Sequence, residues 1–364
     1  MATYNLTKAK KEKNDEFYTQ WADIEKEIMA YLDYNPNVFR DKTILLPCDD
    51  PEWSNFTKFF AQNFDAFGLK KLISTSYAAE SKKIKTWQPT LFETENPNYD
   101  ADKSRTNGKI FTLDYDTNKN GKIDIDDLQW QYLEGDGDFR SPEVKRLRNE
   151  SDIIITNPPF SLFREFLAWI VEGQKQFVII GSMNAITYKE VFPLIKNNKI
   201  WLGNGFSQGN AYFGIPKEIF RDYADGVYDV NTNLVKFRNC CWFTNIDHGR
   251  RHQPLQLMTM ADNIKHSRHK EVRENGYQKY DNYDAIEVPY TDAIPCDYEG
   301  VMGVPISFLD KYCPEQFEIV GMAEDNGKGY SGELAKWDGL NPHCIIEGKA
   351  KFKRIFIIKK ENQV

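Results

Sequence analysis

No apolar run in this chain approaches the roughly 20 residues that a helix needs to cross a bilayer. The paired CxxC spacing of a zinc or redox site is missing too. The six cysteines (Cys48, Cys240, Cys241, Cys296, Cys313 and Cys344) are scattered, which argues against a disulfide framework and for a reducing compartment. The polar, lysine-rich start MATYNLTKAKKEKNDEF does not have the pattern of a signal peptide. The expectation is a cytoplasmic protein with no membrane partner. Net positive charge is also lacking: the balance is −7 over 364 residues. That counts against a nucleic-acid partner, which usually meets a basic face. The cations are, however, gathered locally. Between His248 and Tyr280 stand Arg250, Arg251, Lys265, Arg268, Lys270, Arg273 and Lys279 against only Asp262, Glu271 and Glu274, with His252, His266 and His269 beside them. Such a strip can neutralise phosphates whatever the sign of the whole chain. It equally fits a solvated loop.

With 41% hydrophobic and 14% aromatic residues, the chain can fill one large core, or a core with a smaller appended domain. From about residue 40 to 205, β-rich runs alternate with amphipathic stretches, which predicts an α/β fold with a mostly parallel central sheet. TILLPC (43–48), KKLISTSY (70–77), WQYLEGD (130–136), IIIT (153–156), QFVIIG (176–181) and IWLG (200–203) are expected strands. Helices are expected from Asp50 to about Phe64, over 161–173 and over 188–198. LVKFRNCCWFTNI (234–246) has the pattern of one long strand. A polar region follows over 247–300 and hydrophobic strands return after it. The expected organisation is a catalytic domain over 1–246, with 301–364 packing back on it, and a recognition region over 247–300.

Asn157-Pro158-Pro159-Phe160 directly follows the strand IIIT, the position where open α/β sheets bind ligands. Asn157 and Pro158 both precede a proline, so both are pushed toward extended geometry, while each proline removes a donor. A stiff loop results, presenting the Asn157 side-chain oxygen and the Pro158 carbonyl. Two acceptors placed off a ring plane would suit a poorly nucleophilic aromatic amine such as that of adenine, and Phe160 offers a face on which an extruded base can stack. Pro-Pro before a helix is also ordinary punctuation.

This tetrapeptide resembles the (D/N/S)PP(Y/F) motif of amino-methyltransferases. The longer stretches NPPFSLFREFLAWI, FVIIGSMNAITYKEVFPLIK, IWLG and GVPISFLDKYCPEQFEIVG resemble the EcoRI-type adenine-specific DNA methyltransferases from about Asn14 to the C-terminus. The resemblance implies a Rossmann-like, S-adenosyl-L-methionine-dependent enzyme that flips an adenine out of double-stranded DNA and methylates its exocyclic amine without a metal. It implies catalytic roles for Asn157, Pro158, Pro159 and Phe160. Asn14, Glu16, Phe17, Tyr18 and Thr19 would line the methionine end of the cofactor. Pro47, Asp49 and Asp50 stand where the family has a glycine-rich turn; GxGxG is absent here, and Asp50 with Pro51 reads as a helix cap that leaves N–H groups free. Asp138 would accept from the cofactor's adenine amine and Phe139 would pack on its ring. Ser74-Thr75-Ser76 replace the acid that usually holds the ribose. Arg250, Arg251, Lys265, Arg268 and Lys270 would contact DNA, while Asn204, Ser207, Gln208 and Asn210 would approach the flipped base. The implied enzyme is a bacterial or phage-encoded monomer, with a cognate restriction endonuclease as a genetic partner. An RNA adenine, a protein glutamine, or DNA binding without turnover remain alternatives.

Asp116, Asn118, Asn120, Gly121, Asp124 and Asp127 fit a calcium-loop pattern. The alternation over 110–115 before them instead favours a β-hairpin with its tip at 118–121.

Overall fold

A computed structural model describes residues 17–52, 54–78, 91–206, 210–215, 225–323 and 343–360. The chain divides into two compact units, residues 1–185 with 202–247, and residues 186–201 with 248–364. Among the described residues no helix is long and apolar enough to cross a membrane.

Along the first unit run β1 (Tyr18–Thr19), β2 (Thr43–Leu46), β3 (Lys71–Ser76), β4 (Lys109–Leu113), β5 (Gln129–Tyr132), β6 (Ile153–Thr156) and β7 (Gln176–Ser182). β8 (Trp201–Leu202, of which Leu202 belongs to this unit), β9 (Ala211–Gly214), β10 (Tyr228–Asp229), β11 (Leu234–Phe237) and β12 (Cys240–Thr244) follow. One large sheet has the order β5-β4-β3-β2-β6-β7-β12-β8. Its middle is parallel: β2 pairs in parallel with β3 and β6, and β6 with β7. Every residue of β2 and β6 is buried, as expected of strands covered on both faces. The flanks are antiparallel, at β3–β4, β4–β5 and β7–β12. The expectation of a mostly parallel sheet is therefore corrected to a mixed one. WQYLEGD contributes an antiparallel edge strand, paired with β4 across the loop 114–128.

Helices α1 (Trp21–Tyr34), α2 (Asn55–Gln62), α3 (Pro142–Glu150) and α4 (Phe163–Glu172) belong to this unit. α1 buries Ile24, Ile28 and Tyr31, and α4 buries Phe163, Phe166, Leu167, Trp169 and Ile170, the spacing of a core-facing helical stripe. α2 starts at Asn55 under the N-cap of Ser54, five residues later than expected. The stretch 234–246 is two strands in two sheets. β11 joins the small sheet β1-β9-β11-β10, and β12 joins the large one.

In the second unit, α5 (Phe192–Lys196) begins with Pro193 in its first turn, where a missing N–H costs nothing. The 188–198 helix is thus shorter than its sequence pattern suggests. α6 (Met260–His266) and α7 (Lys270–Asn275) precede a sheet of β13 (Ile286–Glu287), β14 (Met302–Pro305), β15 (Phe317–Met322) and β18 (Arg354–Lys359), in the order β13-β14-β18-β15. A hairpin of β16 (Ile345–Ile346) and β17 (Lys349–Ala350) leads into β18. The segment 301–364, expected to pack back on the catalytic domain, builds its sheet with β13 inside this unit.

Candidate active site

The loops after β2 and β6 leave adjacent parallel strands, and their ends are tied together: Thr156 Oγ1 donates to the Pro47 carbonyl at 2.7 Å. A solvent-open cleft of about 470 Å³ lies beyond them, lined by Phe17, Tyr18, Thr19, Cys48, Asp49, Asp50, Ser54, Phe56, Asn157 and Pro159. Three segments remote in sequence therefore meet in one cleft. Asn14 and Glu16 lie outside the described residues, as do Ser207 and Gln208.

Asn157 is held by a contact across 140 positions, in which its Nδ2 donates to the Phe17 carbonyl at 2.7 Å. That bond identifies which amide atom is the nitrogen. The other atom, Oδ1, is buried and accepts no hydrogen bond among the described residues. A buried acceptor without a donor costs about 1–3 kcal/mol, so this oxygen marks a place where a donor from outside the chain would be stabilised. Thr19 Oγ1 is likewise buried without a partner. Pro158 is buried and Phe160 partly exposed. One face of Phe160 packs on Phe17, centroids 5.9 Å apart, and Phe213 and Phe237 complete a four-ring cluster. The strand β1 that carries the Tyr18-Thr19 motif is fixed by antiparallel pairing with β9.

Asp49 is tied into the turn before α2. Its carboxylate accepts from Ser54 Oγ, from Thr57 N at 3.0 Å and from Thr57 Oγ1 at 2.5 Å, holding the first turn of α2. Burial pushes its pKa up to about 6, against the pull of the Ser54 and Thr57 hydrogen bonds and with the Asp50 charge adding to the rise. The helix cap is Ser54, not Asp50. Asp50 instead accepts from Glu52 N at 3.0 Å in the turn before the helix, and both it and Asp49 still line the cleft.

Asp138 and Arg140 form a two-pronged ion pair, with Nε–Oδ1 at 2.9 Å and Nη2–Oδ2 at 2.6 Å. Phe139 is completely buried, its ring edge-on to Phe166 at 5.0 Å and Trp169 at 5.7 Å. That leaves no open face for a cofactor ring and corrects the expected role. Gly137 has φ +83°, and a Cβ there would stand 2.3 Å from the Ser76 carbonyl, so only glycine allows this loop against the end of β3. The sequence reading missed Tyr77, directly after β3. Its hydroxyl is buried beside Cys48 and the Phe139 backbone. Burial raises its pKa first, with the neighbouring Cys48 and Asp138 contributing. The position after Ser74-Thr75-Ser76, where a ribose acid is missing, was the available signal.

The 116–127 loop joins β4 and β5 as the hairpin reading expects. Asp116 accepts from Asn120 N and Gly121 N, and Asp127 from Thr117 N and Asn118 N. Among the described residues no group of three His, Cys, Asp or Glu is placed to hold a metal ion.

In the second unit the basic strip is uneven. Arg251, expected to contact DNA, is buried, its guanidinium 3.8 Å above the Trp201 ring and bonded to Asn198 Oδ1. Arg268 reaches Asp292 at 2.8 Å and Lys270 reaches Glu274 at 3.5 Å, both largely exposed. Lys265 is exposed. Arg250 lines a groove with Gln253, Pro254, Leu255, Gln256, Thr291, Asp292 and Lys311.

A family model described as adenine-specific methyltransferase EcoRI matches residues 5–360. The type II methyltransferase M.EcoRI of Escherichia coli is 45% identical over 360 residues, covering 98% of this chain and 97% of its own. M.MpnI of Mycoplasma pneumoniae is 32% identical over 376 residues, with 99% of each chain covered. M.MgeORF184P of Mycoplasma genitalium is 34% identical over 375 residues, covering 98% of this chain and 99% of its own. No solved structure matches the chain.

Proposed function

The chain belongs to the EcoRI family of adenine-specific methyltransferases, and on that premise we propose that the cleft at Asn157 methylates N6 of an adenine flipped out of double-stranded DNA. The observation that carries this reading is the buried Asn157 Oδ1, which has no hydrogen-bond partner among the described residues while its amide nitrogen is anchored. In the bound state this oxygen accepts one hydrogen of the adenine amine and the Pro158 carbonyl accepts the other. Off-plane acceptors draw the nitrogen lone pair out of conjugation with the ring. The part-exposed face of Phe160 supports the base, so that orientation is supplied before the reaction rather than during it.

The residues of the cleft fit S-adenosylmethionine as methyl donor: the carboxylates of Asp49 and Asp50 and the buried Thr19 hydroxyl, which has no partner among the described residues, offer polar contacts to a cationic, hydroxyl-rich molecule. When bound, that cofactor supplies an electrophilic methyl group on a sulfonium. Tyr18, Thr19, Asp49 and Asp50 would hold its methionine end, and Asp138 and Tyr77 its adenosine. The parallel strands β3-β2-β6-β7 would form the Rossmann-like core of this unit. The second unit would read the DNA, with Arg250, Lys265, Arg268 and Lys270 as phosphate or base contacts. The working enzyme would be a cytoplasmic monomer, paired genetically with a restriction endonuclease.

Adenine-methylation mapping of DNA from cells expressing the chain, beside an Asn157→Ala strain, tests the reading. N6-methyladenine at one short motif, absent in the control, is expected. No new mark in DNA would transfer the activity to an RNA adenine or a protein glutamine.

A further inference from the structure

Phe352 is 87% exposed, the highest value among the exposed large hydrophobic side chains of the described residues. Isolated apolar surface residues need no explanation, but two features set this one apart. The first is its pedestal. Arg354, at the start of β18, is buried and donates to the carbonyls of Lys353 at 3.2 Å and Phe352 at 3.4 Å. The guanidinium is itself locked to the buried Glu287, with Nε–Oε2 at 3.0 Å, and Glu287 also accepts from Tyr280. On the other side, Lys351 N donates to the Cys344 carbonyl at 2.7 Å. The backbone that displays the ring is thus bonded on both flanks, and one of those ties is a buried ion pair.

The second feature is charge. Lys349, Lys351, Lys353 and Arg354 flank Phe352 in sequence with no acid among residues 349–354, in a chain whose net charge is −7. Lys349 is exposed. Lys351 leans toward Glu271 at 3.4 Å, and Lys353 Nζ reaches Thr187 Oγ1 at 3.2 Å. An aromatic ring held out on a fixed backbone between lysines of its own strand-to-strand turn fits a ligand that carries flat apolar faces beside a line of negative charge. We propose that Phe352 is a DNA-contact residue of the second unit, its ring stacking on or inserting between bases of the duplex while Lys349 and Lys351 meet the flanking phosphates. This rests on the reading that duplex DNA is the substrate.

The test is binding of the full-length protein, with S-adenosylhomocysteine present, to a duplex carrying the motif methylated in cells and to a random-sequence duplex. Phe352→Ala should bind the motif duplex roughly tenfold more weakly. The slope of log affinity against log salt should be unchanged, since an uncharged ring releases no counterions. Lys349→Ala should instead reduce that slope by about one. Phe352→Trp should bind like the parent, with its emission quenched by DNA. Val230→Ala, at another largely exposed apolar side chain (79%), should change nothing. The proposal is overturned if Phe352→Ala binds DNA as the parent does. It is also overturned if that variant converts a dimer to a monomer in sedimentation, because the ring would then cover a second copy of the chain. A parent protein that binds no duplex at all would fail the DNA reading itself, a result distinct from either.

Discussion

Asp49 offers a perturbation whose sign differs between stability and binding. Its carboxyl is pushed from 3.8 to about 6 by burial, which corresponds to about 3 kcal/mol of cost for carrying the charge in the folded state. Because the folded-state value is raised, the group's favourable contribution is whole below pH 3.8. It is lost as pH rises through about 6. Above that, ionised Asp49 weakens the fold. Asp49→Asn keeps an acceptor for Thr57 N and Thr57 Oγ1, and offers a donor to Ser54, whose hydroxyl can rotate to accept. Between about pH 5 and about pH 8 the variant should therefore gain roughly 1.5 kcal/mol on the parent, about half of the full cost. In a unit of this size that is about 3 to 6 °C in melting temperature. Binding should move the other way. A cationic cofactor beside the carboxylate favours its ionised form, so the parent's affinity for S-adenosylmethionine should rise as pH passes about 6, and the variant's should stay flat and lower. Scanning calorimetry and titration calorimetry over that window measure both. A stability difference that is the same at both ends of the window refutes the burial argument. A parallel pH dependence of binding in parent and variant removes Asp49 from the cofactor site.

Asn157→Ala should lower single-turnover methyl transfer about 10²- to 10³-fold, the usual cost of losing one preorganised hydrogen-bonding group. The cofactor dissociation constant should stay within a few-fold, and equal losses in both would mark a structural role instead. Tyr77→Phe removes the buried hydroxyl beside Cys48 and the Phe139 backbone. Cofactor-induced stabilisation should shrink, and an unchanged thermal shift would show that the hydroxyl faces no ligand. Arg251→Ala should destabilise the second unit by about 2 kcal/mol through loss of the desolvated contact with Trp201, as read by denaturant unfolding. Arg250→Ala should reduce the salt slope of DNA binding by about one.

The sequence by itself determined the elements whose pattern is local. IIIT and TILL are runs of apolar, largely β-branched residues that only a strand covered on both faces can bury, and both are fully buried strands. Asn157-Pro158-Pro159-Phe160 is legible because two prolines and their restrictions act within four residues. The hairpin around 110–132 follows from alternation and an Asn-Gly tip. Tertiary structure alone decided what depends on partners far along the chain. That the Asn157 amide is turned by the Phe17 carbonyl, leaving its oxygen bare, is a contact across 140 positions that no local pattern encodes. The stretch 234–246 has a continuous strand pattern, yet it divides between two sheets because β9 and β7 claim its two halves. Whether Asp49 faces a ligand or a helix turn depended on where α2 began, and Ser54, not Asp50, took that cap. Arg251 and Phe139 carry the chemistry of contact residues but are buried. Composition sets what a side chain can do, and only the packing around it decides whether solvent or a ligand can reach it.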